Sequence, residues 1–324
     1  MRDLTALPKA HLHLHFTGSM RPSTLAELAS EQGLRLPTAL LDHDPLRVAG
    51  TERGWFRFQR LYDAARAVVR SEAAMRRLVD EAVADDAAEG SLRLELQVDP
   101  TSYAPYVGGI TPAVEIVLDA AAQAARRHGI EVGVVVAASR LRHPLDARTL
   151  ARLAARYAGT GDGEVVGFGL SNDERRGDTE AFGPAFALAR RAGLASVPHG
   201  GELLGPTHVE QVLDRLVSAG VALEVCPASN VSLGVFEAAA QVPLRTLVEA
   251  GATVALGADD PLLFRSRLVD QYVIARTELG FDDADLAELA RGSIRASRAG
   301  AASKAAMLTR VESWLAADGT ATRA

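Results

Sequence analysis

Seven short aliphatic stretches recur along the chain with amphipathic helical stretches between most of them, and this alternation leaves few folds open. The strand candidates are Ala10 to His15, Ser91 to Val98, Ile130 to Ala138, Val165 to Leu170, Leu194 to His199, Val221 to Cys226 and Thr253 to Gly257. Helical candidates include Pro112 to His128, Asp146 to Tyr157, Glu180 to Ala192 and Thr207 to Ala219, with apolar residues three and four apart. Repeated βα units imply a parallel sheet. A length of 324 residues with 48% hydrophobic content suits one large α/β barrel or two ordinary domains. The carboxyl ends of the strands carry His15, Asp99, Asn172, His199 with Glu202, Asn230 and Asp259, while the amino ends carry little chemistry. That asymmetry fits a (β/α) barrel with its site at the C-terminal face. An open doubly wound sheet is the alternative, but it would gather functional side chains at one switch point. No linker, repeat or low-complexity segment divides the chain, so residues 1–324 are read as one barrel domain with a fraying tail from Ala317.

Between the first two strands the sequence predicts a helix over Thr24 to Gly33 and a helical pair over Phe56 to Val69 and Ser71 to Glu89. Trp55, Phe56, Phe58 and Tyr62 make this insertion aromatic in a chain with only 5% aromatic residues. Two readings stand: packing of the insertion onto the barrel, or an apolar lid over a pocket. After Asp260 three helical stretches, Arg265 to Leu279, Asp282 to Ile294 and Ala301 to Leu315, close the chain.

A formal charge of -6 argues against a phosphate-tracking surface, hence against nucleic acid or an anionic membrane as partner, and for a small molecule. Cys226 is the only cysteine, which excludes an intrachain disulfide, a cysteine-rich zinc site and an iron-sulfur cluster. Any metal must be held by His and carboxylate. Met1 to Lys9 lacks the blocks of a signal peptide, and no apolar run approaches the roughly 20 residues that span a bilayer, so a cytoplasmic protein is expected.

His11-Leu12-His13-Leu14-His15 near the start and Ala258-Asp259-Asp260-Pro261 near the end have the residue types of one metal site, with His199-Gly200-Gly201-Glu202 between them. Side chains two apart on a strand share a face, so His13 and His15 project together and His11 follows one step lower. A single strand histidine can be a core residue satisfied by backbone carbonyls. Three on one face would need several buried partners at once, which favours a metal.

Pro8-Lys9 leading into His13-Leu14-His15, then Leu170-Ser171-Asn172-Asp173-Glu174, His199-Gly200-Gly201-Glu202 and Asp259-Asp260-Pro261-Leu262 resemble the adenosine deaminase family of the metal-dependent amidohydrolase superfamily. The motifs fall in the family's order and span nearly the whole chain. The resemblance implies a TIM-type (β/α) barrel, one zinc ion per chain, a purine-type substrate, and hydrolytic loss of an amino group as ammonia. Three imidazoles and a carboxylate suit zinc, and the ligand set it implies is His13, His15, His199 and Asp259. Glu202 is then the group that delivers a proton to the purine ring, although a carboxylate at a helix N-terminus is its bland reading. Around the substrate the resemblance places His15, Thr17, Gly18, Asn172 and Asp260; Asp260 has a second reading as an acceptor for a ligand.

Departures from the family pattern sharpen the expectation. The family has a further strand ending in Gly-His-Gly between the His-x-x-Glu and Asp-Asp strands, whose histidine lies beside the reacting water. Here only His208 occurs in that interval, in what reads as the first turn of a helix. One βα unit is therefore expected to be missing, leaving seven core strands where a closed barrel has eight, with altered tilt or an exposed edge. Loss of a water-orienting base costs about two to four powers of ten in rate. Thr17 stands where the family usually has an aspartate for the sugar's 5' hydroxyl, Asn172 replaces a glycine near the purine, and Gly200 replaces an alanine with little expected effect. The substrate expected is adenosine or 2'-deoxyadenosine; the alternatives are a 5'-modified adenine nucleoside such as 6-aminodeoxyfutalosine, or binding of a purine nucleoside with impaired catalysis.

Other motifs fare worse. Gly167-Phe168-Gly169 lacks the third glycine of a dinucleotide fingerprint, and the chain has no phosphate-binding Gly-Lys-Ser/Thr loop, no His-Glu-x-x-His pair and no Gly-x-Ser-x-Gly elbow. The fourth strand has Phe168, Gly169 and Leu170 where a two-metal relative would have a bridging lysine, so a single metal is expected.

Overall fold

The computed structural model describes residues 1–176, 178–201, 203 and 216–317. All seven expected strands form: β1 Lys9–His15, β2 Ser91–Val98, β3 Glu131–Ser139, β4 Glu164–Ser171, β5 Ala195–Pro198, β6 Leu223–Val225 and β7 Val254–Leu256. β1 to β5 pair in chain order as one parallel sheet, and β6 and β7 form a second parallel pair. The two join just past β7, where Asp259 N–H donates to the His13 carbonyl and His15 N–H to the Asp259 carbonyl, both at 3.0 Å. The wall thus runs β5-β4-β3-β2-β1-β7-β6 without reversing, so it has no switch point and the doubly wound alternative fails. Among the described residues no strand stands between β5 and β6, the place where a βα unit is expected to be missing.

The sequence of β2 shows why the wall curls around a filled interior. Leu94, Leu96 and Val98 join the outer apolar layer under the helices, while Arg93, Glu95 and Gln97 alternate with them and are buried as well. Inside, the Arg93 guanidinium donates through Nε to Glu95 at 2.7 Å and through Nη1 to Glu131 at 3.1 Å. Room for these long side chains comes from the neighbouring strands. A Cβ on Gly133 would stand 2.9 Å from Arg93 Nη2, and one on Gly169 would stand 2.8 Å from Gln97 Oε1. Helices Ile110–His128 and Pro144–Arg156 bury their apolar faces against β3 and β4. Ala10 and Leu12 of β1 pack instead into a second apolar cluster with β7 and the C-terminal helices Asp283–Ala296 and Ala301–Ala316.

The insertion after β1 consists of helices Pro22–Glu31, Glu52–Arg66 and Glu72–Ala88. Thr51 and Ser71 start the last two, their side-chain oxygens accepting from Gly54 N–H and Ala74 N–H at 3.2 Å. Trp55 and Phe58 are buried, and Phe58 stacks on Phe264 with ring centroids 5.8 Å apart, so the packing reading holds for them. Phe56 is 47% exposed beneath the Arg176 guanidinium, and Tyr62 turns instead into a cleft at the mouth of the barrel.

Among the helix boundaries that differ from the sequence reading, two have local reasons. The stretch from Glu180 begins as a 3-10 turn, Thr179–Phe182, before the helix Gly183–Arg191 takes over with proline in its first turn. The helix expected from Arg265 begins later, at Leu268–Thr277, because Arg265 sits at φ 50° and ends a short helix Pro261–Phe264. Of the helix expected over Thr207 to Ala219, only the end lies within the described residues. Among those residues no helix is long and apolar enough to cross a membrane.

Candidate active site

Parallel strands deliver their last side chains to one end of the wall, and here those side chains are His13 and His15 from β1, His199 just past β5, and Asp259 just past β7. The three imidazoles form a nearly equilateral triangle, with ring centroids 4.8, 5.1 and 5.2 Å apart. Each offers one ring nitrogen within 4.8 Å of the others, a grouping able to hold a metal ion, and His15 groups likewise with Asp259 and Asp260. Asp259 Oδ1 lies 3.1 Å from His15 Nε2 and 3.5 Å from His13 Nε2. Its backbone is held at φ 61°, an unusual conformation for a non-glycine residue, by the two hydrogen bonds to β1.

A ring of groups that the motifs did not reveal orients these four. Ser229 Oγ donates to Asp259 Oδ2 at 2.6 Å, leaving Oδ1 toward the imidazoles. His13 Nδ1 donates to Glu224 Oε2 of β6 at 2.8 Å. The Gln97 amide lies 3.3 Å from His15 Nδ1 and 3.1 Å from His199 Nε2. Arg140 donates to the His199 carbonyl, and His199 N–H donates to Leu170 O at 2.9 Å. Strand alternation carried a signal for two of these, since Gln97 continues the inward row Arg93 and Glu95, and Glu224 is flanked by Leu223 and Val225. Ser229 and Arg140 lie in loop or short helical segments with no periodic signal.

Electrostatics follow from this crowding. Burial opposes the charge on His13, but hydrogen bonds to Asp259 and Glu224 outweigh it and hold its pKa well above the usual range. Burial, with His13 and His15 nearby, pushes His199 well below. Asp259 is held well below the ordinary carboxylate range despite burial, because His13 and His15 donate to it. Three imidazoles and a carboxylate, backed by the Glu224 carboxylate, are the donor set and charge balance of a divalent ion with nitrogen preference, so the residues fit such a metal.

His11 does not share the site. It is 1% exposed, its Nδ1 donates to Asp86 at 2.9 Å, and its Nε2 accepts from Ala258 N–H at 3.0 Å. The β1 to β2 register slips between His11 and Leu14, and the core reading of a strand histidine is the right one here. Asp99 caps the turn after β2, accepting from Thr101 N–H at 3.0 Å.

Of the other sequence candidates, Thr17 lines a cleft beside the three imidazoles together with His15, Tyr62, Gln97 and Tyr103. Thr17 is buried, with Oγ1 2.5 Å from Tyr103 OH. Gly18 lies against Asp260: a Cβ there would come within 1.9 Å of its Oδ1, so no side chain fits. Asp260 is 3% exposed at the start of helix Pro261–Phe264. Asn172 adopts φ 80°, which explains why glycine suits this position and why asparagine is tolerated. A methyl on Gly200 would meet its nearest neighbour, Glu174 Oε2, at 3.8 Å, ordinary contact, so alanine would fit there too. Glu202 and His208 lie outside the described residues.

The sequence model of the family described as adenosine deaminase matches residues 8–219 and 210–314. The two pieces overlap over residues 210–219, in the interval between β5 and β6. A Streptomyces virginiae protein provisionally named adenosine/adenine deaminase is 57% identical over 336 residues, covering 97% of this chain and 98% of that one. An adenine deaminase of Rhizobium leguminosarum is 30% identical over 94% of this chain and 99% of its own length. The crystal structure of an adenine deaminase from Arthrobacter aurescens superposes with a TM-score of 0.85 at 27% identity, covering 96% of this chain and all of that one. Barrel, motif order and these matches agree: the chain is an aminohydrolase and belongs to the adenosine deaminase family.

Proposed function

We propose that this chain holds one zinc ion with His13, His15, His199 and Asp259 and removes the 6-amino group of an adenine-type compound by hydrolysis, releasing ammonia. The convergence of those four side chains at the C-terminal mouth of the barrel carries the reading. Bound zinc supplies Lewis acidity that brings a water's pKa towards about 7. Glu202 delivers a proton to the ring nitrogen as addition of water at C6 interrupts the ring's aromaticity, and Asp260 accepts a hydrogen bond from the bound purine. Ser229 and Glu224 keep Asp259 and His13 aimed at the ion.

Within that class the walls of the cleft favour the free base over the nucleosides expected from the sequence. Where a sugar's 5' end would extend past Thr17, its hydroxyl is buried against Tyr103, with the Tyr62 phenol beside them. Burial raises both phenols, Tyr103 to about 12, so both are neutral donors at physiological pH. The names of the Rhizobium and Arthrobacter relatives point the same way. Among the described residues no strand stands between β5 and β6, which favours a second reading, a purine-binding barrel with impaired turnover.

The test is zinc content of the purified protein together with ammonia release from adenine, adenosine, 2'-deoxyadenosine and 6-aminodeoxyfutalosine, with Glu202→Ala as control. About one zinc per chain and turnover of adenine lowered about a hundredfold or more in the control is the expected result. A best rate on a nucleoside would remove the free-base preference, zinc without turnover would favour the binding protein, and absence of zinc would overturn the reading.

A further inference from the structure

The loop after β4 carries Glu174, whose carboxylate spans the turn that follows β5. Glu174 Oε2 accepts from Gly201 N–H at 2.8 Å, and its Oε1 accepts from Leu203 N–H. These are the amides on either side of Glu202 in the chain. From the other end of the turn, buried Arg140 donates to the His199 carbonyl and is itself tied to Thr179 Oγ1 at 2.8 Å and, through its backbone, to Ser171 O at 3.1 Å. Gly201 has φ 76°, so the turn takes a conformation that side-chain-bearing residues resist. Glu174 is itself anchored: neighbouring Asp173 is 1% exposed, pairs with Arg175 at 2.8 Å, and Asn172 Oδ1 accepts from its N–H at 2.9 Å.

We propose that Glu174 is a positioning residue: by holding the Gly201 and Leu203 amides, with Arg140 on the His199 carbonyl, it supports the proton transfer assigned to Glu202, the residue between those two amides in the chain. The inference rests on the proton-transfer role of Glu202 given above. Hydrogen bonds to an ionised carboxylate are about twice as strong as neutral ones, and two of them on amides one residue apart restrict the backbone on both sides of the residue between. A proton donor must lie within hydrogen-bond reach of its acceptor, and a displacement of about 1 Å can cost on the order of a hundredfold. His199 has its own anchors in Leu170 and Arg140, so the metal site does not depend on Glu174.

The test is a double-mutant cycle on full-length protein loaded with zinc, with ammonia release from adenine as the rate. Glu174→Ala is expected to lower kcat by about 10- to 100-fold with KM within about threefold, and Glu174→Gln, which keeps one acceptor oxygen, by less. Zinc content stays near that of the parent, and amide hydrogen exchange across residues 199–203 becomes faster in both variants. In a Glu202→Ala background the further loss from Glu174→Ala shrinks to within about threefold, because the clamp then has nothing to position. A kcat within about threefold of the parent in Glu174→Ala, unchanged exchange, or an equal loss in both backgrounds overturns the clamp while leaving the role of Glu202 intact. Loss of zinc in Glu174→Gln also overturns it. A Glu202→Ala variant as fast as the parent overturns the proton-transfer reading itself and the clamp with it.

Discussion

His13 Nδ1 lies 2.8 Å from Glu224 Oε2, and this one contact decides which nitrogen of the ring is left for a metal. With Nδ1 turned to β6, Nε2 is the ring nitrogen that faces the space shared with His15, His199 and Asp259. A strand that ends the chain's shorter sheet thus orients an imidazole on its first strand.

Removing that partner should loosen the metal without removing a ligand. Glu224→Ala is expected to weaken zinc binding by about 10- to 100-fold, and Glu224→Gln, which retains an acceptor oxygen, by less. Competition against a chelator of known affinity measures both. Equal affinity in parent and Glu224→Ala would mean that His13 is oriented by something else.

Selectivity between base and nucleoside should follow the wall formed by Tyr62, Thr17 and Tyr103. Tyr62→Ala, which opens that wall from the insertion side, is expected to raise kcat/KM for adenosine relative to adenine by about tenfold or more. Tyr103→Phe keeps the ring volume and should move the ratio by less than about threefold. If both variants leave the ratio unchanged, the sugar is excluded elsewhere.

Zinc should stabilise as well as activate, because the four proposed ligands come from β1, the end of β5 and the end of β7, and the unfolded chain does not bring them together. Free zinc at about 100 times its dissociation constant adds about 2.7 kcal/mol. The thermal midpoint of the chelated protein should therefore rise on adding zinc, and His199→Ala should abolish most of that rise. A midpoint indifferent to zinc in the parent would place the ion elsewhere.

The strands and the residues that converge at the mouth of the barrel were legible because both depend on local pattern. β2 was bounded correctly at Ser91 and Val98, since its alternation of Leu with Arg, Glu and Gln is written in eight consecutive residues. His13, His15, His199 and Asp259 were found by residue type at strand ends. What could not be read is set by contacts between distant segments. Glu224 is 211 residues from His13, Ser229 is 30 from Asp259, and Gln97 is 102 from His199. His11 looked equivalent to its neighbours by period, and only the register slip in β1 and the buried Asp86 of helix Glu72–Ala88 separate it from them.

At the opposite end of β1, Lys9 is fully buried, with its ammonium donating to the carbonyls of Leu4, Leu7 and Glu89 at 3.0, 2.8 and 2.5 Å. Burial lowers its pKa to about 8, against the pull of Glu89, Asp86 and Asp3. The unfolded chain, with the ordinary value near 10.5, therefore holds this proton more tightly than the folded one. Between those two values the unfolded state binds more protons, so stability must rise with pH across that window and level off above it. From pH 7.5 to 9.5 the contribution is about 2 kcal/mol. Urea unfolding of the parent and of Lys9→Met at those two pH values isolates it: the parent should gain about that much more than the variant. Parallel pH dependence in the two proteins would show that the three carbonyls hold the ammonium charged through the whole range.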